Sequence, residues 1–170
     1  MPNTYNLIAS NTVGSGGAAS VIFSSIPSTY TDLVIKISAR SNSNAGGTYT
    51  ELGISFNGST ANFSGRRLYG VGSGIASSDT VTPRAGISNS NTATASAFGN
   101  GEIYIPNYAS ANYKSVSTDS VQETVATTAI AMLTAILWSD TSAINQITLT
   151  LGVGNFVEYS TFALYGINKS

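Results

Sequence analysis

Apolar side chains recur at every second position along much of the chain. Across Asp32–Ala39, Leu33, Ile35 and Ile37 alternate with Val34, Lys36 and Ser38. Leu52, Ile54 and Phe56 repeat the pattern in Tyr49–Phe56, and Ile103 and Ile105 do so in Gly101–Tyr108. A period of two is that of a strand with one face buried. Shorter or weaker versions lie at Tyr5–Ala9, Ala19–Phe23, Asn62–Gly70 (Phe63, Leu68, Tyr69), Tyr113–Glu123, Ile144–Leu151 and Ser160–Ile167 (Phe162, Leu164, Tyr165). The apolar run Thr127–Ser139 also fits helical spacing through Ala126, Ile130, Leu133 and Leu137. Strands bracket it and it has no clear caps, so it is predicted as a central buried strand.

Turn signals separate these runs. Gly14–Gly17, Ser41–Gly47, Ser139–Ser142 and Gly152–Asn155 break the pattern, Pro27 marks a corner, and Asn57-Gly58 is a strong hairpin-turn dipeptide. Val71–Ala97 holds few large apolar residues and reads as one long polar loop. Eight to ten strands with no confident helix predict an all-β fold: one domain over residues 1–170, an antiparallel β-sandwich of jelly-roll type. An immunoglobulin domain needs only about 100 residues. No internal repeat points to a propeller or solenoid.

Composition narrows the chemistry. Charged residues are 9% of the chain, against roughly 25% in ordinary domains. There is no His and no Cys, but there are 26 Ser, 20 Thr, 15 Asn and 17 Gly. That excludes Ser-His-Asp and Cys-His nucleophile pairs and the usual zinc, copper or haem ligand sets. No cofactor, metal or enzymatic activity is expected. A net charge of −1 offers nothing to neutralise a phosphate backbone, so nucleic acid is not an expected partner. The start of the chain lacks a basic segment followed by an apolar run, and the longest apolar stretch, Ala129–Trp138, is about half a membrane span. Neither a secretory signal nor membrane association is expected. Weak charge repulsion favours association, and hence a stable oligomer or larger assembly.

Few residues stand out as sites. Eight carboxylates could in principle supply the facing pair of a glycosidase, Asp119 and Glu123 sharing one strand face, but nothing in their spacing marks a raised-pKa acid. The Gly70, Gly72, Gly74 series precedes a polar stretch and no helix, so it lacks the mechanism of a phosphate loop. Arg66, Arg67 and Arg84 are the main basic concentration. They are either anchors for carboxylates of a neighbouring chain or partners within their own. Among nine tyrosines, Tyr5, Tyr104, Tyr108 and Tyr113 are candidate interface residues; the alternative is strand and corner packing.

The C-terminal stretch Gly154-Asn155-Phe156-Val157-Glu158-Tyr159-Ser160-Thr161-Phe162-Ala163-Leu164-Tyr165-Gly166-Ile167 resembles a signature, G-x-F-x-x-G-S-T-F-x-L-Y-G-I, of small bacteriophage virion proteins. Tyr5–Ala9, Phe23–Leu33 and Glu102–Tyr108 are similar to that group as well. The chain departs from the pattern at Glu158-Tyr159, where the group has a small residue and Gly. The resemblance implies a structural role in a virion, the protein being made in the host cytoplasm. The expected protein is a capsid decoration (cement) protein, a homotrimer bound outside the major capsid protein lattice. The alternative is a tail component, an adaptor or a small glycan-binding module in contact with tail proteins.

Overall fold

The alternation is realised as strands throughout the computed structural model, which describes residues 4–44, 47–80, 82–123 and 129–168. In chain order these are β1 (Tyr5–Thr12), β2 (Ser20–Phe23), β3 (Asp32–Ala39), β4 (Tyr49–Phe56), β5 (Phe63–Val71), β6 (Gly74–Thr80), β7 (Arg84–Asn89), β8 (Gly99–Ile105), β9 (Lys114–Gln122), β10 (Ile130–Trp138), β11 (Ile147–Leu151) and β12 (Thr161–Ile167). There are twelve among the described residues, against the eight to ten expected. The first three residues, Ala126 of the helical spacing, Thr127 and Thr128 of the apolar run, Val81 of the predicted loop, and Ala45 and Gly46 of the Ser41–Gly47 turn lie outside the described residues.

The strands form an antiparallel β-sandwich of unequal sheets. The large sheet runs β1-β12-β3-β8-β9-β10-β5-β6 and the small one β2-β11-β4-β7. The core lies between them. From the large sheet it takes Leu33, Ile35, Ile103, Ile105, Phe162 and Leu164, and from the small sheet Val21, Phe23, Leu52, Ile54, Phe56, Ile147 and Leu149. Each such side chain contributes roughly 1.5–3 kcal/mol by leaving water. At one end Trp138 meets Phe56 edge-on at 5.3 Å and stacks on Phe63 at 6.2 Å. Elsewhere Phe156 and Phe162 meet edge-on at 4.9 Å.

Three local expectations change. The Asn57-Gly58 turn forms with both residues at positive φ (53° and 75°), closed by paired bonds between Phe56 and Ser59. The strands on either side nevertheless part into different sheets, so the turn is a crossing point and not a hairpin between β4 and β5. The predicted loop Val71–Ala97 contains two strands, β6 and β7. Their low apolar content follows from where they lie: β6 is an edge strand, and β7 sends only Ile87 into a small apolar cluster with Ile130 and Met132 while Gly86 lies close against β9. A Cβ on Gly86, whose φ is +136°, would stand 2.7 Å from Ser120 Oγ of β9. The rest of that stretch is ordered around a buried cation. The Arg40 guanidinium donates to the carbonyls of Thr94 (2.7 Å), Ala97 (2.8 Å), Ala93 (3.1 Å) and Asn91 (3.2 Å).

The third change concerns β10. It is central, between β9 and β5, but only one of its faces is buried. Ile130, Met132, Thr134, Ile136 and Trp138 point inward, whereas Leu133 and Leu137 are exposed. The small sheet covers one side of the large sheet, and no described element covers the other.

Candidate functional site

The open outer face of the large sheet is the main candidate surface. Strand register orders it into rows. One runs Leu7, Tyr165, Val34, Tyr104, Ser117, Ala135, Arg66, Asp79. The next runs Ala163, Lys36, Glu102, Asp119, Leu133, Leu68, Ser77. The third runs Thr161, Ser38, Asn100, Val121, Ala131, Gly70, Ile75.

The two ends of these rows differ in chemistry. Over β1-β12-β3-β8 the face is aromatic and polar. Tyr5 packs edge-on against Tyr165 at 6.2 Å. Tyr104 donates its hydroxyl to Asp32 Oδ2 at 2.8 Å, and that bond, with some burial, raises the phenol above its ordinary pKa. Lys36 is ion-paired with Glu102, and the hydrogen bond raises the ammonium in the same way. Over β9-β10-β5-β6 the face turns apolar. Leu68, Ile75, Val121 and Leu133 rim a shallow groove of about 290 Å³, and the small residues Gly70 and Ala131 line it between them.

The candidate residues are dispersed by this arrangement. Pleating splits Arg66 from Arg67. Arg66 lies on the outer face, paired with Asp79 at 2.6 Å. Arg67 bonds Glu51 at 2.7 Å and Ser78 at 3.2 Å, and Arg84 is ion-paired with that same Glu51. All three guanidiniums thus find carboxylates of their own chain. Tyr5 and Tyr113 are exposed. Tyr104 is half-buried beside Asp32. Tyr108 is fully buried (0% exposed), which removes it from any surface of this chain. Asn107, at positive φ in the turn after β8, brings the Tyr108 ring into the core, where its hydroxyl donates to the Pro27 carbonyl. Burial raises its pKa.

Most carboxylates have structural work. Asp32 also accepts from Asn107 N at 2.9 Å, and Asp140 accepts from Ser142 N at 2.8 Å, which lowers its pKa. Glu102 and Asp119 stand opposite one another on β8 and β9, a like-charge neighbour pair that Lys36 relieves from the Glu102 side. They sit on an open sheet face. Among the described residues no group of three or more His, Cys, Asp or Glu is placed to hold a metal ion.

Two buried cations were missed by sequence reasoning, Arg40 and Lys114. Lys114 Nζ donates to the carbonyls of Ser110 (2.9 Å), Ser142 (2.5 Å) and Asp140 (3.4 Å) and lies 5.5 Å from the Trp138 ring centroid. Burial lowers its pKa. The signal was parity, because Lys114 shares the face of Val116, the buried face of β9.

The four segments with a family resemblance, distant in sequence, form one contiguous unit. Tyr5–Ala9 pairs with Leu164–Ile167. Tyr30 lays its ring against Gly166, where any Cβ would collide with it. Tyr108 bonds Pro27, and Tyr104 and Asn107 bond Asp32. Within the C-terminal stretch Phe156, Ser160, Phe162 and Leu164 are fully buried, Ser160 Oγ bridging the Arg40 backbone N–H and C=O at 3.2 Å each. Gly154 has φ +79° and no room for a side chain beside Asn42 and Ser43. Tyr159, standing where the pattern has Gly, adopts φ 69°, a conformation that Gly takes without cost.

No protein-family model matches the chain, and no curated protein matches it. Among solved structures, a fructofuranosidase from Schwanniomyces occidentalis complexed with fructosylnystose aligns with a TM-score of 0.28 at 10% identity, over 99% of this chain and 35% of that one. A similarity at that level carries neither fold nor function across.

Proposed function

We propose that the protein is a structural component of a bacteriophage particle: a capsid decoration protein that binds the outer surface of the major capsid lattice and holds neighbouring subunits together. What supports this reading above all is the convergence of Tyr5–Ala9, Phe23–Leu33, Glu102–Tyr108 and Gly154–Ile167 into one packed unit. Many residues shared with small virion proteins then have a common reason to be there, since Leu33, Ile103, Tyr108, Phe162 and Leu164 are buried in that unit and Gly166 makes room in it for Tyr30. In this reading the fold is a jelly roll. Without β1, β9, β10 and β12, the sheets run β2-β11-β4-β7 and β3-β8-β5-β6, with the β9–β10 hairpin wedged between β8 and β5. Viral capsid domains often use that architecture.

The surface chemistry suits the role. Arg40 and Lys114 spend their charge on carbonyls inside the fold, and Lys36, Arg66, Arg67 and Arg84 on carboxylates of the same chain. A surface of hydroxyls, amides, apolar side chains and charges already paired within the chain loses little charge solvation on packing against neighbours. Many such weak contacts, repeated in a self-associated protein expected to be a trimer, sum to firm attachment through effective concentration. The partners are further copies of the chain and the major capsid protein, with no nucleic acid, membrane, cofactor or catalysis.

A tail adaptor or glycan-binding module is the second reading, favoured by the exposed rings of Tyr5 and Tyr113. Copy number in purified virions, by quantitative mass spectrometry against the major capsid protein, separates the two. Hundreds of copies per particle are expected; a handful supports the tail, and absence from the particle overturns both.

A further inference from the structure

The two sheets have four edges, and three are blunted. β1 carries a register shift between Leu7 and Ala9. β2 is only four residues long. β7 has a register shift where it meets β4, and its outer side is bridged by Arg40 and closed by the bond from Ser41 N to Asn89 O at 2.7 Å. Bulges, shortness and cover are the devices by which proteins prevent strand edges from pairing with other chains.

β6 has none of them. Its seven residues, Gly-Ile-Ala-Ser-Ser-Asp-Thr, contain no Pro, and its register with β5 runs unbroken from Gly65↔Thr80 to Val71↔Gly74. No described strand pairs with its far side. Its one charge, Asp79, is neutralised by Arg66 of the same chain. It also carries Ile75, the most exposed large hydrophobic side chain described, at 82%.

We propose that β6 is a seam through which two copies of this chain join, antiparallel and edge to edge about a two-fold axis, so that their large sheets become one continuous sheet. An identical antiparallel strand is self-complementary, because every pairing of one residue with another is repeated in reverse by the symmetry. The axis is perpendicular to the sheet and keeps the outer faces on the same side. The two grooves rimmed by Leu68, Ile75, Val121 and Leu133 therefore lie side by side, and both Ile75 side chains lose water at the join. The neutral Arg66–Asp79 pairs add no net repulsion between copies. The seam is independent of which particle the protein serves. It makes a dimer, or joins two trimers where another face builds the three-fold assembly.

The test is the mass of the full chain in solution, by light scattering after size exclusion at tens of micromolar. The wild type is expected at twice the 17.5 kDa chain mass or a larger even multiple. Ile75→Lys is expected to halve that mass, weakening the association at least tenfold while leaving the circular dichroism spectrum unchanged. The chain has no cysteine, so single cysteines put in turn at Ile75, Ala76, Ser77, Ser78 and Asp79 report the pairing directly. At least one is expected to oxidise to a covalent dimer, and Ser115→Cys on β9 is not. If Ile75→Lys fails to fold, the cysteine series decides. A monomeric or purely trimeric wild type, or an even-numbered assembly untouched by Ile75→Lys and cross-linked nowhere along β6, overturns the proposal. So does a β6 that pairs only with an added foreign peptide strand.

Discussion

The two halves of the large sheet share a backbone geometry and little else. In β1-β12-β3-β8 the inner face is apolar, and the outer face, though open, holds side chains paired with one another. The inner face supplies Leu33, Ile35, Ile103, Phe162 and Leu164 to the core, and the outer face carries the pairs Tyr5 on Tyr165, Tyr104 on Asp32 and Lys36 on Glu102 beside an exposed Leu7. In β9-β10-β5-β6 the inner face is half polar, with Lys114, Thr118, Ser120, Gln122 and Thr134 buried, while the outer face leaves leucines in water. The first half is built to hold its own shape. The second spends apolar side chains where they stabilise nothing within this chain, which is the usual mark of a surface with a partner.

The contrast is sharpest for a core ring. Phe162→Ala in β12 removes a side chain fully buried against Phe156 and is expected to cost about 3–5 kcal/mol, read as a fall in the denaturant midpoint. Next comes a test of close packing. Gly166→Val forces side-chain atoms into the Tyr30 ring and is expected to destabilise by about 1–3 kcal/mol, with Tyr30→Ala in the same chain recovering part of the loss. Were Gly166→Val neutral, the tight unit ascribed to the first half would not exist.

A smaller effect separates hydrogen bonding from bulk. Tyr108→Phe keeps the ring and removes the bond to Pro27, at a cost of about 1 kcal/mol. The same hydroxyl sets a pH dependence. Tyr104 and Tyr108 are both raised above their ordinary 10.0, so the fold holds protons that the unfolded chain releases. Their contribution is whole below pH 10 and is lost as pH rises through the folded values. Thermal melts at pH 9 and pH 11 should show that loss, smaller in Tyr108→Phe. The least effect is expected in the second half: Leu133→Ser, on the open face, should change stability by no more than about 0.5 kcal/mol. A loss of 2 kcal/mol there would mean that the face is already covered within the chain.

Much of the first half was legible in the sequence, because period-two alternation of large apolar residues states both the element and its buried face. Leu33, Ile35 and Ile37 were assigned correctly on that basis. The second half was harder. β6 and β7 have almost no large apolar residues, and their strands are held by an edge pairing and by the close approach of Gly86 to Ser120. Neither cause leaves a pattern within a short window. Tyr108 failed as a surface candidate for a related reason. Residue type alone left interface and corner packing both open for it, and Asn107 at φ 49° decides for packing by turning the ring inward.

The sequence by itself determined the all-β class, most strand positions, the inward face of the strands where large apolar residues alternate (Leu33 to Ile37, Leu52 to Phe56, Ile103 to Ile105) and the absence of His and Cys chemistry, since these depend only on local spacing and composition. The tertiary structure alone decided which strands became neighbours, which arginines found which carboxylates, and which edge and face remained open. Those outcomes depend on contacts between residues far apart in the chain, such as Arg40 with Ala97 or Tyr30 with Gly166, and no local pattern encodes them.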